Sequence, residues 1–196
     1  MVKKKRKWIV FALIAAVVIS AVLFVLYKRG MTDIVIDEAI PRLEISSSAF
    51  TDGGVIPDKY TGNGEDVSPD FQLSKLSEDA VSIAVIMDDL DVPWASNYTH
   101  WVIWNIPPQD IIPEAIPHGE LVDSLDGAIQ GVAYGRNRYR GPQPPFGTHR
   151  YQYHVFVLDA MLELDGTVEK GELLAAMEDH ILQYGSLTAW YPRAAG

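Results

Sequence analysis

The stretch from Ile83 to Pro107, IAVIMDDLDVPWASNYTHWVIWNIP, constrains this chain more than any other. An apolar run, Val81 to Met87, bounded by polar residues, fits a strand buried on both faces, and pattern alone leaves a buried helical turn open. The run ends in three carboxylates, Asp88, Asp89 and Asp91, followed by Pro93. After a loop comes a second apolar run, Thr99 to Ile106, with His100 near its start. Carboxylates at the end of one strand and a histidine at the start of the next make a polar cluster at one rim of an apolar sheet. Such a cluster either caps the fold or binds something.

The first thirty residues are a different kind of sequence. Lys3, Lys4, Lys5, Arg6 and Lys7 precede twenty uncharged residues, Trp8 to Tyr27. At about 1.5 Å per residue a helix of that length covers roughly 30 Å, a bilayer core. Trp8 and Tyr27 stand at its two ends, where amphipathic rings favour the interface, and only Lys28 and Arg29 follow. The reading is a basic cytoplasmic segment (1–7), a transmembrane anchor (8–27), a linker (28–42) and one extracytoplasmic domain (43–196). A cleaved signal peptide fits less well, because the apolar run is long and no small-x-small site follows it.

Nine of the 16 Lys and Arg and all 26 Asp and Glu lie after Gly30, a formal charge of −17 for the exported part. That charge argues against nucleic acid and against electrostatic docking on anionic lipid. Cysteine is absent, which excludes disulfides, zinc-thiolate sites and cysteine nucleophiles. The domain is long enough to bury a core without such staples.

Strand signals dominate that domain. Leu43 to Phe50 reads as a strand end, residues 51–70 as successive turns, Gly127 to Tyr134 as one further strand, and Thr148 to Asp159 (THRYQYHVFVLD) as a strong strand. Gly62-Asn63-Gly64-Glu65-Asp66 lacks the acidic spacing of a calcium loop and reads as a plain turn. Pro107, Pro108, Pro113 and Pro117 exclude a helix between them, and Arg136 to Gly147 reads as a stiff shaped loop. Helical spacing recurs late, at Leu173, Leu174, Met177, Ile181 and Tyr184, with Gly185 placed to end it.

Strand parity limits which polar groups can meet. His149, Tyr151 and Tyr153 face one way, and Arg150, Gln152 and His154 the other, so His149 and His154 are unsuited to one metal. On the earlier strand His100 shares its parity with Val102 and Trp104, and Asp89 shares its own with Asp91 and Pro93. Trp101 and Trp104 read as core, His118 and His180 as solvated, and Arg136, Arg138, Arg140 and Arg150 either as a pocket mouth or as partners of an acidic surface.

MDDLDVP with YTHWVIWNIP, and then GPQPPFGTHRYQYHVFVLD, resemble the phosphatidylethanolamine-binding protein family, with its bacterial and archaeal Raf-kinase-inhibitor-like branch the nearest in pattern. SSAFTDGGVIPDKYTGNGEDVSP and ILQYGSLTAWYPR extend the likeness from Leu43 to Arg193. The resemblance implies a mainly β fold, a Greek-key sandwich of a large sheet on a smaller one with a C-terminal helix. It also implies a small anion pocket at one rim. The family's Asp-Pro-Asp-x-Pro falls on Asp89, Leu90, Asp91, Val92 and Pro93, its pocket histidines on His100 and His149, and its tyrosine on Tyr151. Gly141 and Pro142 match the wall loop, and a cis bond before Pro93 is implied. Leu90 stands where proline is usual, and Gly62 and Gln143 stand where prokaryotic relatives often carry cysteines.

Two carboxylates repel phosphate, so the expected donors are imidazoles oriented and charged by Asp89 and Asp91. The leading reading is a membrane-anchored binding module for a small anion or phospholipid headgroup, regulating a partner such as an envelope protease, with no cofactor and no metal. The alternative is a hydrolase using the Asp/His cluster as general acid and base. Against it stand the missing Gly-x-Ser-x-Gly and His-Glu-x-x-His patterns. A third reading is a structural envelope protein in which Asp, His and Tyr merely satisfy one another.

Overall fold

A computed structural model describes residues 17–18, 32–93 and 95–193. The anchor expected over 8–27 therefore lies outside the described residues except for Val17 and Val18, which are helical. Among the described residues no helix is long and apolar enough to cross a membrane.

The strands in chain order are β1 (Glu44–Ser46), β2 (Gly54–Val55), β3 (Phe71–Ser74), β4 (Ser82–Asp89), β5 (Tyr98–Ile106), β6 (Ile111–Ile112), β7 (Leu121–Val122), β8 (Ala128–Gln130), β9 (Thr148–Leu158) and β10 (Ile181–Pro192), with one helix, α1 (Lys170–Met177), before β10. Seven of them form a large sheet in the order β2-β10-β9-β4-β5-β8-β7, and β1-β3-β6 form a small one. Within the large sheet β9 returns beside β4 after the β4-β5-β8 run, all antiparallel, which is Greek-key order.

Why β4 is apolar throughout is now plain: all eight of its residues are buried, because both faces of the large sheet are covered. Ile83, Val85 and Met87 join Trp101, Ile103, Tyr153 and Phe71 in the core between the sheets. Ala84 and Ile86 join Val102, Trp104, Phe156, Leu173 and Met177 in a second core beneath α1. Each such side chain stabilises by about 1.5–3 kcal/mol relative to leaving it in water. The linker is part of this second core, since Ile34 and Ile36 pack against it while Val35 between them is 88% exposed.

The C-terminal helix needs correction. A capping box formed by Glu169 and Glu172 starts α1, but it stops at Met177. Ile181 and Tyr184, expected to be helical, and Gly185, expected to end the helix, belong to β10, which pairs with β9 along almost its whole length. Leu187, Ala189 and Tyr191 are buried while Ser186, Thr188 and Trp190 are not, a period of two that suits a strand. The long β9 partner outweighs the local helical spacing.

A second correction concerns β5. Met87 pairs with Trp101 but Asp88 pairs with Thr99, so His100 is an extra residue, a β-bulge. The bulge turns His100 to the face of Asp89 and Trp101 instead of the face of Val102 and Trp104. No cis peptide occurs among the described residues, so the bond before Pro93 is trans, the form a tertiary amide favours by about 0.5–1 kcal/mol.

Candidate functional site

The carboxyl end of β4, the start of β5 and the start of β9 meet at one rim of the large sheet. There Asp89, Pro93, His100, His149 and Tyr151 line a cleft of about 110 Å³ together with Val92, Tyr134, Arg140, Gln143, Pro144, Pro145 and Phe146. Asp89 stands at the end of β4, and its Oδ2 accepts a hydrogen bond from His149 Nδ1 at 2.8 Å, with both side chains nearly inaccessible. Its Oδ1 accepts the Asp91 N–H at 2.9 Å, which shapes the turn out of the strand. Tyr151 follows two residues after His149 on the same face, and burial first, then the Asp89 charge, pushes its phenol well above the usual range.

His100 is oriented by a carbonyl. Its Nδ1 lies 2.8 Å from Arg140 O, so Nδ1 carries the proton and Nε2 is left as an acceptor. Nε2 is buried and has no hydrogen-bond partner. Burial holds the imidazole neutral, with its pKa pushed down to about 4 against the opposing pull of the Arg140 carbonyl. The expectation that Asp89 and Asp91 orient both histidines is met by one pair of the two. Asp89 serves His149, and no aspartate holds His100.

Asp91 points elsewhere. Its carboxylate takes both Arg150 Nε (2.9 Å) and Nη2 (2.7 Å) plus the Arg150 backbone N–H, and this clamp holds it below the usual carboxylate range. Gly141 and Pro142 also lie outside the cleft. Gly141 donates its N–H to Asp66 at 2.6 Å, and a Cβ there would come within 2.5 Å of the Tyr60 carbonyl, so the position requires glycine. Pro142 accepts the Gly62 N–H at 3.0 Å. Asp66, in the segment read as a plain turn, also pairs with Arg138 and so ties down the wall of the cleft. Among the described residues no three His, Cys, Asp or Glu side chains converge as metal ligands.

Sequence reasoning missed Tyr134, Val92, Phe146 and the prolines of the wall, and left Arg140 undecided. Tyr134 packs edge-on against the His100 ring at 4.9 Å, and the Arg140 guanidinium lies 4.4 Å over the Tyr134 ring. Phe146 meets the His149 ring at 5.5 Å. The Arg-rich stretch around residue 140 was the available signal, and nothing in the local pattern of Tyr134 distinguished it.

Chemically the cleft offers a carboxylate–imidazole pair, a guanidinium, a protonated phenol and one unsatisfied acceptor. No Ser, Thr or Cys is among the residues that line it.

Residues 46–192 match the sequence profile of the phosphatidylethanolamine-binding protein family. A UPF0098 protein of Pyrococcus abyssi is 44% identical over 150 residues, covering 75% of this chain and 84% of that one. Another UPF0098 protein, from Archaeoglobus fulgidus, is 43% identical over 147 residues, covering 75% of this chain, which in turn spans only 50% of that relative's length. A phosphatidylethanolamine-binding protein homologue from Chlamydia trachomatis superposes with a TM-score of 0.70 at 30% identity, covering 78% of this chain and 99% of its own. E. coli YbcL gives the same TM-score and coverage at 23% identity, a likeness of fold. This chain belongs to the phosphatidylethanolamine-binding protein family.

Proposed function

We propose that the domain is a membrane-tethered binding module whose cleft takes one phosphate-sized anionic group, free or as a phospholipid headgroup. Its occupancy acts on a partner such as an envelope protease. The observation that carries the reading is the buried, unpartnered Nε2 of His100 beside the Asp89–His149 pair. A buried polar atom without a partner costs about 1–3 kcal/mol, which a ligand donor at that point would offset. The cleft, at about 110 Å³, has room for a tetrahedral oxyanion.

The ligand has to meet opposite demands. The Arg140 guanidinium supplies positive charge, while His100 Nε2 and the Asp89 carboxylate accept. A monoprotonated phosphomonoester satisfies both, because its P–OH donates while its other oxygens accept. The second pKa of such a group is about 6, so affinity should rise as pH falls toward 6, with the ligand itself bringing the proton.

Calorimetric titration of the full chain in maltoside micelles with inorganic phosphate and with phosphoethanolamine tests the proposal. Saturable binding lost at least tenfold in His149→Ala supports it, and no heat at millimolar ligand contradicts it. The alternative, a hydrolase using the Asp89–His149 pair as general acid and base, is tested in the same titration, because it requires release of phosphate from a phosphomonoester and the binding module does not.

A further inference from the structure

We infer that the mouth of this cleft faces, and docks on, the bilayer in which the chain's own N-terminal segment sits. The inference rests on the anchor and headgroup reading above, and adds a direction to it. The path of the chain supplies the first observation. Asp33 accepts hydrogen bonds from Ser96 Oγ at 2.6 Å and Asn97 Nδ2 at 2.7 Å, in the β4–β5 loop that also carries Val92 and Pro93 of the cleft. From there Ile34 and Ile36 run along the second core, and Pro41 O and Leu43 N are held by Tyr184, near the start of β10. Residues 32–43 thus travel from the cleft end of the large sheet to its opposite end. The continuously described chain thus begins, at Thr32, at the cleft end.

Chain length supplies the second. Between the last residue of the uncharged run, Tyr27, and Thr32 lie only Lys28 to Met31. The five Cα–Cα steps from Tyr27 to Thr32 reach at most about 18 Å even when fully extended. The eleven residues of β9, which begins at the cleft, span roughly 36 Å. The tether is too short to bring the far end of the sheet to the headgroups without tearing Asp33, Ile34 and Ile36 from their seats, whereas the cleft end lies within its reach.

The rim supplies the third. Phe146 is 44% exposed, Tyr134 43% and Trp190 38%, three aromatic rings with Pro145 exposed beside them, while the exposed apolar residues at the far end, Val81 and Met161, are aliphatic. Amphipathic rings partition to the headgroup layer. Four of the domain's nine cations, Arg136, Arg138, Arg140 and Arg150, also belong to segments at this end. Asp66 and Asp91 neutralise two of them, so apolar contact and tether length, rather than bulk charge, drive the docking to a zwitterionic surface.

Because the chain has no cysteine, single labels are unique. The full chain is reconstituted into phosphatidylcholine/phosphatidylethanolamine vesicles with a fluorophore at Gln143→Cys on the rim or at Asp79→Cys at the far end, and quenched by headgroup-nitroxide lipid. Severalfold stronger quenching at 143 than at 79, reduced by Phe146→Ser, is the expected result. Equal quenching at both sites, stronger quenching at 79, or a chain that fails to float with the vesicles overturns the inference. Phosphate titration in micelles needs no oriented bilayer, so failure of the cleft as an anion site and failure of this orientation are read separately.

Discussion

Asp88 and Asp89 are neighbours on β4 and face opposite sides of the same sheet, yet they live in contrasting networks. Asp88 accepts Thr99 Oγ1 at 2.9 Å and Lys170 Nζ at 2.8 Å, and Lys170 in turn bonds Asn97 Oδ1 at 2.7 Å with no exposed surface of its own. Burial pushes Asp88 up and Lys170 down, and each pulls the other back toward its charged form. Nearby, His154 bonds Tyr184 OH at 2.7 Å. On this face the charged network of Asp88, Thr99, Lys170 and Asn97 closes within the chain, and the buried group left over, Trp104 Nε1, sits in an apolar core with no cleft beside it. On the Asp89 face the same kinds of residue enclose a cleft and leave one imidazole nitrogen unsatisfied. A polar cluster that closes on itself holds the fold together, and one that stays open holds something else.

Breaking the closed side gives the largest effect. Lys170→Met leaves Asp88 buried without its cation and should cost about 3–5 kcal/mol in urea unfolding. Adding Asp88→Leu should recover part of that loss, and phosphate affinity of the folded fraction should not change.

Pinning the open side gives the next effect. A Cβ on Gly62 would lie 3.2 Å from Gln143 Cβ, a few tenths of an ångström inside the usual disulfide spacing of about 3.5–4.5 Å, which a small shift of the loop restores. Gly62→Cys/Gln143→Cys should oxidise without external force and raise stability by at most about 4 kcal/mol, seen as a reductant-sensitive melting temperature, with the cleft intact.

Acid sharpens the contrast between histidines. The folded pKa of His100 is depressed to about 4 and that of His154 to about 3. An unfolded histidine titrates near 6.5, so between about 6.5 and 4 the unfolded chain binds more protons and stability falls with pH. His100 alone accounts for about 3 kcal/mol of that fall. His100→Phe should remove its share, measured as the difference in unfolding free energy between pH 7 and pH 4, and leave the His154 share. Saturating phosphate should protect the wild type and not the variant. The smallest effect belongs to the half-exposed Arg150–Asp91 clamp, where Arg150→Ala should cost only about 0.5 kcal/mol because solvent screens the pair.

Apolar runs made β4 and β5 legible in the sequence, since a strand covered on both faces needs little else, and β9 was legible from its alternating aromatic start and its apolar end. β10 was hidden because Leu173, Met177, Ile181 and Tyr184 imitate a helix, and its alternation from Leu187 onward matters only once β9 lies beside it. Parity of β9 was readable because that strand is regular. Parity at His100 was not, because a bulge is a count of two residues against one on a partner, and the partner's register is absent from a single sequence. The Asp91 and Gly141 positions were drawn to the cleft by motif adjacency. Their side chain and backbone are instead consumed by Arg150 and by the approach of Tyr60. Tyr134 and Arg140 reach the cleft through tertiary packing, which no local spacing announces.

The most direct test of an open cluster against a closed one is the ring-nitrogen NMR signature of His100 and His154 with and without phosphate. The account requires free His100 to be the neutral Nδ1–H tautomer down to about pH 4. It further requires the Nε2 signal of His100 to move on adding phosphate while His154 stays still. A free His100 that titrates near 6.5, or phosphate that moves both rings alike or neither, would contradict it.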